Sequence, residues 1–215
     1  MVQEASMYRH PSPAQTNRPG PAAPSEYTPH AGFASAQPEG ADVPPAQPGP
    51  ALVGWPRTIA WSEFRDINKR PKGETENAQI SVGLRHGKVK TVEEHGEYKL
   101  GEMEFKIIVK KAESWVVKSE KTEQLLVHEQ GHYDIAGLCY RDFLAAVRAL
   151  QEDSRNELLR QVNGLMAEHG QRAVSLSDEY DVDTEHGLNQ TQQQSWLNQI
   201  AASRESGTPL TAPAI

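Results

Sequence analysis

One long helical stripe in the second half of the chain restricts the fold more than any other sequence feature. Its apolar residues and two histidines recur at steps of three and four, which places them on one buried face of a helix. Ser119 is the predicted N-cap, and Glu120 and Glu123 follow it where acidic side chains favour the helix dipole. The stripe comprises Leu125, His128, His132, Ile135, Cys139, Phe143, Ala146 and Leu150.

The segments on either side of this helix predict an α+β domain. Alternating or β-branched segments at residues 57–61, 77–85, 88–92, 104–109 and 114–117 indicate a small antiparallel sheet of about three to five strands. Further helices are predicted at residues 156–168 and 191–203. We therefore expect a small sheet packed beside the long helix, with the later helices closing the domain.

Composition divides the chain into a tail and a folded part. Eleven of the 15 prolines lie between Pro11 and Pro50, among Ala, Gly, Gln, Ser and Glu. Such a segment buries too little apolar surface to offset its chain entropy, so residues 1–53 are predicted to be a disordered Pro/Ala-rich tail. Binding to a partner that recognises proline-rich segments and a role as a solvated linker would each account for this composition. The folded domain is predicted at residues 54–205, followed by a flexible C-terminal tail at residues 206–215.

Charge and hydropathy exclude several classes of protein. With 22 Lys and Arg against 29 Asp and Glu, the net charge is -7, and no basic stripe predicts nucleic-acid binding. No run approaches the ~18–20 apolar residues that span a bilayer, so membrane insertion is not expected. The N-terminus lacks a Sec signal core, which indicates a cytoplasmic protein or export by a non-Sec route. Cys139 is the single cysteine, so no intrachain disulfide is available.

The centre of the long helix carries the pattern His-Glu-x-x-His. His128 and His132 lie one turn apart on one face, so both imidazoles can bind the same Zn²⁺ ion. Glu129 lies one step round the helix, where it can accept a proton from a zinc-bound water that attacks a carbonyl carbon. The alternative is a pair of core histidines that are hydrogen-bonded to the backbone, with an incidental glutamate. The pattern, placed beside a small sheet, predicts a zincin-like, zinc-dependent peptidase domain.

A catalytic zinc ion needs a third protein ligand from elsewhere in the chain. The extended motif HExxHxxGxxH is absent, because Ile135 and Leu138 occupy its glycine and histidine places. His186, in a polar segment between two predicted helices and followed by Gly187, is the preferred candidate. The alternatives left open are His169 and the carboxylates Glu152, Asp153, Glu157 and Glu168.

Three elements of the chain resemble one bacterial family. HEQGHYDI is similar to the HEQGHFDI helix of the family called domain of unknown function 922, whose members are predicted zinc-dependent proteases. The W-S-[DE]-F element of that family corresponds to residues 61–64 here. The resemblance implies the same zinc-dependent chemistry and supports His186 as a functional residue. It also implies secretion, an expectation from which the Pro/Ala-rich tail of this chain departs. A late element of the family is matched at Tyr180, Asp181, Thr184, His186, Gly187, Asn189, Gln193 and Trp196.

Together these features predict a zinc metallopeptidase that acts on a peptide or protein substrate. Tyr180 is a candidate hydrogen-bond donor to the developing oxyanion, and Asp181 is a candidate for orienting a ligand imidazole. The strand at residues 104–109 is a candidate edge for aligning an extended peptide. A zinc amidase for non-protein amides and a non-catalytic zinc-binding scaffold or accessory protein remain as alternatives.

Overall fold

The computed structural model describes residues 3–6 and 49–214 of the chain. Its architecture is α+β, as predicted, with three long helices after a strand-rich half. Most of the predicted disordered tail, residues 7–48, lies outside the described residues, whereas both ends of that tail contribute strands. The strands are β1 (Gln3–Ser6), β2 (Ala51–Val53), β3 (Arg65–Ile67), β4 (Ala78–Gln79), β5 (Val82–His86), β6 (Thr91–Glu94), β7 (Glu97–Leu100), β8 (Glu104–Val109) and β9 (Trp115–Val117).

These strands form three small sheets rather than the single antiparallel sheet predicted. A four-stranded sheet has the order β1-β5-β8-β2, a three-stranded sheet has the order β3-β9-β4, and β6 pairs with β7. The first two sheets are mixed, because β2 runs parallel to β8 and β3 runs parallel to β9. The segment at 104–109 is therefore an inner strand, and its predicted role as an edge for a substrate is wrong.

The helices follow the sheets in the order α1 (Glu123–Arg148), α2 (Arg155–Thr184) and α3 (Gln190–Ser206). Thr122, rather than Ser119, is the N-cap of α1, since its Oγ1 accepts from the Leu125 amide at 3.1 Å. Ser119 lies instead in a single 3-10 turn, Lys118–Glu120. α2 continues far beyond its predicted end at residue 168, because packing of its apolar stripe outweighs the modest helix penalty of Gly170.

Helix α1 lies at the centre of the domain and is buried on two sides. Toward the sheets it packs through Tyr133, Ala136 and Tyr140, in a core that includes Phe105. Toward α2 and α3 it packs through a second group that includes Ile135, Leu138, Cys139, Tyr180 and Trp196. Burial raises the pKa of the Cys139 thiol to about 12, which agrees with its predicted role as a small core residue.

The end of the chain is packed against the helices, in contrast to the flexible tail predicted for residues 206–215. Leu210 is buried, and its carbonyl accepts from the Arg172 guanidinium at 2.6 Å. Arg141 donates to the Thr208 carbonyl at 2.8 Å. None of the helices within the described residues is long and apolar enough to cross a membrane.

The close approach of Trp55 to α1 depends on a glycine. A Cβ atom at Gly137 would lie 2.2 Å from Trp55 Nε1, which donates to Asp134 Oδ1 at 2.9 Å. We expect Gly137→Ala to displace the indole and lower the free energy of unfolding by about 1–3 kcal/mol. Gly164→Ala, in α2 with no atom within 4 Å of the new Cβ, should instead raise it by about 0.5–1 kcal/mol. Denaturant unfolding measures both, and an unchanged Gly137→Ala variant would contradict the packing argument.

Candidate metal centre

Two imidazoles converge in the middle of α1. His128 and His132 lie one turn apart, and their Nε2 atoms are 3.3 Å from each other. The two rings pack edge to face, with centroids 4.8 Å apart. Both residues are buried, with exposures of 3% and 5%. Their burial on the inner face of α1 follows from the helical stripe, as the sequence pattern predicted.

A carboxylate from α2 completes this cluster. Asp181 Oδ1 lies 3.1 Å from His128 Nε2 and 2.9 Å from His132 Nε2. Asp181 belongs to the last turn of α2, so the long extension of this helix places it against α1. The sequence predicts Asp181 only as a group that orients a ligand imidazole. In the structure it supplies the third donor atom of the cluster.

The donor set suits a small divalent cation. A tetrahedral Zn²⁺ with bonds of ~2.0–2.1 Å holds neighbouring ligand atoms about 3.3–3.4 Å apart. The three separations here, 2.9, 3.1 and 3.3 Å, are close to that spacing. The carboxylate oxygen is an acceptor, and a neutral imidazole can direct a lone pair at the same point. Such a buried convergence of acceptors is stabilised by a proton or a cation, and two His with one Asp is a zinc-binding combination.

Gln193 orients the first imidazole from the opposite side. Its Oε1 lies 3.1 Å from His128 Nδ1. In the tautomer with the proton on Nδ1, Gln193 accepts that proton and the Nε2 lone pair is available at the centre. The Gln193 amide group donates to the Tyr180 hydroxyl. Gln193 is itself buried on α3, so a third helix contacts a donor residue of the first.

Tyr180 forms the wall of the site. Its ring stacks on His128 with centroids 4.7 Å apart and meets His132 edge to face at 4.9 Å. The hydroxyl donates to the His128 carbonyl at 3.2 Å, and burial raises the pKa of this phenol. Gly131 admits the ring, because a Cβ there would lie 2.2 Å from the hydroxyl oxygen. Through these contacts Tyr180 packs against α1 and supports it. Its predicted role as a hydrogen-bond donor to an oxyanion stays a prediction.

Glu129 lies between the two histidines in the sequence and is also buried, with 2% exposure. Burial is the main cause of the raised pKa of the Tyr180 phenol, and the Glu129 carboxylate adds to it. A buried carboxylate beside a cation-binding group is what proton transfer at the centre requires. Its predicted catalytic role therefore stays a prediction with a suitable location.

His186 lies beside the cluster of His128, His132 and Asp181 and is not one of its three donor residues. Its Nδ1 atom is 3.6 Å from Asp181 Oδ1 and 3.2 Å from Glu76 Oε1. The side chain is 40% exposed. Its assignment as the third zinc ligand stays a prediction, because Asp181 occupies the shorter contacts with both α1 imidazoles. Glu76, which no sequence signal singled out, approaches from the loop before β4.

The other predicted ligands lie in different surroundings. Among the described residues, two groups could hold a metal: one of His128, His132 and Asp181, and one of Glu76, Asp181 and His186. The alternatives Glu152, Asp153, Glu157, Glu168 and His169 belong to neither group. Glu157, for example, pairs with Arg160 on the surface of α2, and His169 packs near Phe143 with ring centroids 6.2 Å apart.

The remaining residues of the HEQGHYD segment tie α1 to the strand-rich half. The Gln130 side chain accepts from the Ile59 amide at 2.8 Å and donates to the Arg57 carbonyl at 3.1 Å. The Tyr133 hydroxyl donates to the Gly54 carbonyl. Asp134 accepts from Trp55 and from Gln130, at 2.9 and 3.1 Å. The segment therefore combines the donor residues with the contacts that hold their helix.

Comparison with known proteins identifies the same region. Residues 109–187 match the family model described as bacterial protein of unknown function (DUF922), which confirms the resemblance found in the sequence. The match runs from the end of β8 to Gly187 and includes His128, Glu129, His132, Asp181 and His186. Searches of curated proteins and of solved structures found no match.

Removing the Gln193 amide should weaken metal binding without removing a donor atom. We expect Gln193→Ala to lower Zn²⁺ affinity about 10–100-fold, because the His128 Nδ1 proton loses its acceptor. A competition titration with a chromophoric chelator measures this. Gln194→Ala is the matched control. The described hydrogen bond of the Gln194 side chain is to the exposed Asn198. Equal affinities in the two variants would contradict the orienting role.

Proposed function

We propose that this chain, whose residues 109–187 match the DUF922 family model, is a zinc-dependent metallohydrolase that acts as a peptidase. The observation that carries the proposal is the convergence of His128 Nε2, His132 Nε2 and Asp181 Oδ1 within 3.3 Å of one another. A buried glutamate, Glu129, lies beside them on the same helix. Three donors are the usual protein contribution to a catalytic zinc site, which leaves a position for water or substrate.

In this proposal three residues bind the metal ion and a fourth transfers a proton. A zinc ion held by His128, His132 and Asp181 would supply a Lewis acid that lowers the pKa of water and polarises a carbonyl group. Gln193 holds the His128 ring with its Nε2 lone pair toward the centre. Glu129 accepts a proton from the attacking water on its carboxylate and passes it to the leaving amine. The rings of Tyr180 and His132 keep bulk water from one side.

A peptide substrate is favoured by the strand next to the centre. Within the described residues, β4 is an edge of the three-stranded sheet, and it packs against α1. It begins two residues after Glu76, which contacts His186. An extended peptide can add to such an edge through main-chain hydrogen bonds, with a scissile carbonyl carried toward the donor cluster. Edge strand β4 replaces the inner strand β8 in this role.

The rival proposals use the same residues differently. A zinc amidase would share the whole site and differ only in the amide that it cleaves, so a substrate profile separates it from a peptidase. A non-catalytic scaffold would hold zinc in a closed site of four protein ligands. His186, whose Nδ1 is 3.6 Å from Asp181 Oδ1, is the residue that could close it.

The carboxylate from α2 should be essential for metal binding. We expect Asp181→Asn to lose bound Zn²⁺, because the amide replaces the only anionic donor of the three-residue cluster. Elemental analysis of purified protein measures zinc per chain, and far-UV circular dichroism checks the fold. Asp183→Asn, which alters a carboxylate that accepts from Trp196 at 2.9 Å, is the control expected to keep its zinc. Full zinc content in Asp181→Asn would return His186 to the third-ligand position.

The buried glutamate should be needed for turnover and not for binding. We expect Glu129→Gln to retain zinc and to cleave a casein-type substrate or peptide library about 10²–10⁴-fold more slowly than the wild type. Glu123→Gln, an exposed carboxylate in the first turn of α1, is the matched control. If Glu129→Gln cleaves as fast as the wild type, the proposed mechanism is wrong. If zinc is retained and no substrate is cleaved even by the wild type, the scaffold proposal gains support.

A further inference from the structure

A second group of donor atoms adjoins the first. Glu76, Asp181 and His186 each present one ligand atom, and these atoms lie within 4.8 Å of one another. Glu76 Oε1 is 3.2 Å and Asp181 Oδ1 is 3.6 Å from His186 Nδ1. The three residues come from the loop before β4, the last turn of α2 and the turn before α3. Contacts between such distant segments form only in the folded domain.

The burial of these atoms makes their charges costly. The side chain of Glu76 is 17% exposed and that of Asp181 is 6% exposed. The Nδ1 atom of His186 is buried although its ring is partly exposed, and its contacts do not have hydrogen-bond geometry. A divalent cation placed among the three donor atoms would also satisfy His186 Nδ1, which makes no hydrogen bond within the described residues.

The donor types of this second group suit a divalent cation. Glu76 and Asp181 supply carboxylate oxygens and His186 supplies an imidazole nitrogen. Carboxylate and imidazole donors together suit Zn²⁺ or Mn²⁺.

The backbone holds His186 in place for this group. Glu185, His186 and Gly187 have φ values of 50°, 54° and 82°, so three successive residues are left-handed, two of them with side chains. The Gly187 position, where an added Cβ would lie 3.0 Å from His128 Cβ, fixes the turn against α1. Thr184 Oγ1 accepts from the Gly187 amide at 3.2 Å. A turn fastened at both sides directs the His186 imidazole toward Asp181 and Glu76.

We propose that Glu76, Asp181 and His186 form a second divalent-cation site, which shares the Asp181 carboxylate with the His128 and His132 site. The proposal rests on the proposed metallohydrolase site and makes it a two-metal centre. Two imidazoles would serve the first ion, one imidazole would serve the second, and Asp181 would serve both. In such centres two cations about 3.5–4 Å apart stabilise the attacking and leaving groups together. Glu76 is the additional anionic ligand that belongs to the second ion alone.

Metal stoichiometry of the full-length protein tests this directly. Chelator-treated protein is dialysed to equilibrium against micromolar Zn²⁺, and zinc per chain is measured by elemental analysis, with isothermal titration to resolve the two affinities. We expect two zinc ions in the wild type and one in Glu76→Gln and in His186→Asn. The matched controls Glu74→Gln, in the same loop, and His95→Asn, in an exposed turn, should retain two. Circular dichroism confirms that each variant is folded.

Each other outcome overturns a distinct part of the argument. One zinc ion in the wild type rejects the second site. Loss of all zinc in His186→Asn assigns His186 to the first site and also rejects the proposal. No zinc in the wild type would remove the proposed function itself, so the two failures are distinguishable. Two ions in Glu76→Gln would mean that the second ion binds elsewhere.

Discussion

The contact between the centre of α1 and the last turn of α2 is the constraint on which the site depends. It brings Asp181 Oδ1 to within 3.1 Å of two imidazole nitrogens that already lie 3.3 Å apart. Polar atoms this close together in a dry interior need a proton or a cation among them, and packing around them holds the group in place. The protein supplies the packing, through a helix buried on both sides and an aromatic ring stacked on one donor.

The close approach of these elements is made through residues that lack side chains. Gly131 leaves room for the Tyr180 hydroxyl, Gly137 for the Trp55 indole, and Gly187 for the Cβ of His128. At the first two positions a Cβ would lie 2.2 Å from the neighbour, so no small adjustment could accommodate one. Glycine within α1 weakens the isolated helix by about 1 kcal/mol for each residue. The helix is therefore stable because of what packs against it, and the same packing positions the donors.

Much of the fold was predictable because local patterns coincide with tertiary burial. β8 spans the predicted residues 104–109, and α1 carries the predicted histidine stripe. The N-cap was misplaced by three residues, because Ser119 and Thr122 are both plausible caps and the intervening 3-10 turn has no distinctive pattern. The end of α2 was misplaced because a glycine such as Gly170 is typical of a helix end, whereas contacts with α1 extend the helix to Thr184.

That misplacement also explains why the candidate site was predicted only in part. With Asp181 in a loop, His186 was the natural third donor. With Asp181 in the last turn of α2, its carboxylate faces α1, and His186 lies across the turn with Glu76. Gln193 and Glu76 could not be assigned roles, since one acts through a helix interface and the other through a loop distant in sequence.

The late element shows why a matched motif does not by itself separate ligands from supports. Thr184 donates to the Tyr180 carbonyl at 2.6 Å, and Asn189 caps α3 by accepting from the Gln192 amide at 3.2 Å. Trp196 donates to Asp183 and packs against Tyr180 with centroids 5.5 Å apart. These side chains hold one another, and together they hold Asp181 and His186. Because a support that moves by 1 Å displaces the donor, both kinds of residue are equally necessary to the site. Only the positions of the donor atoms distinguish them, and those positions favour Asp181 at the first proposed metal site and His186 at the second.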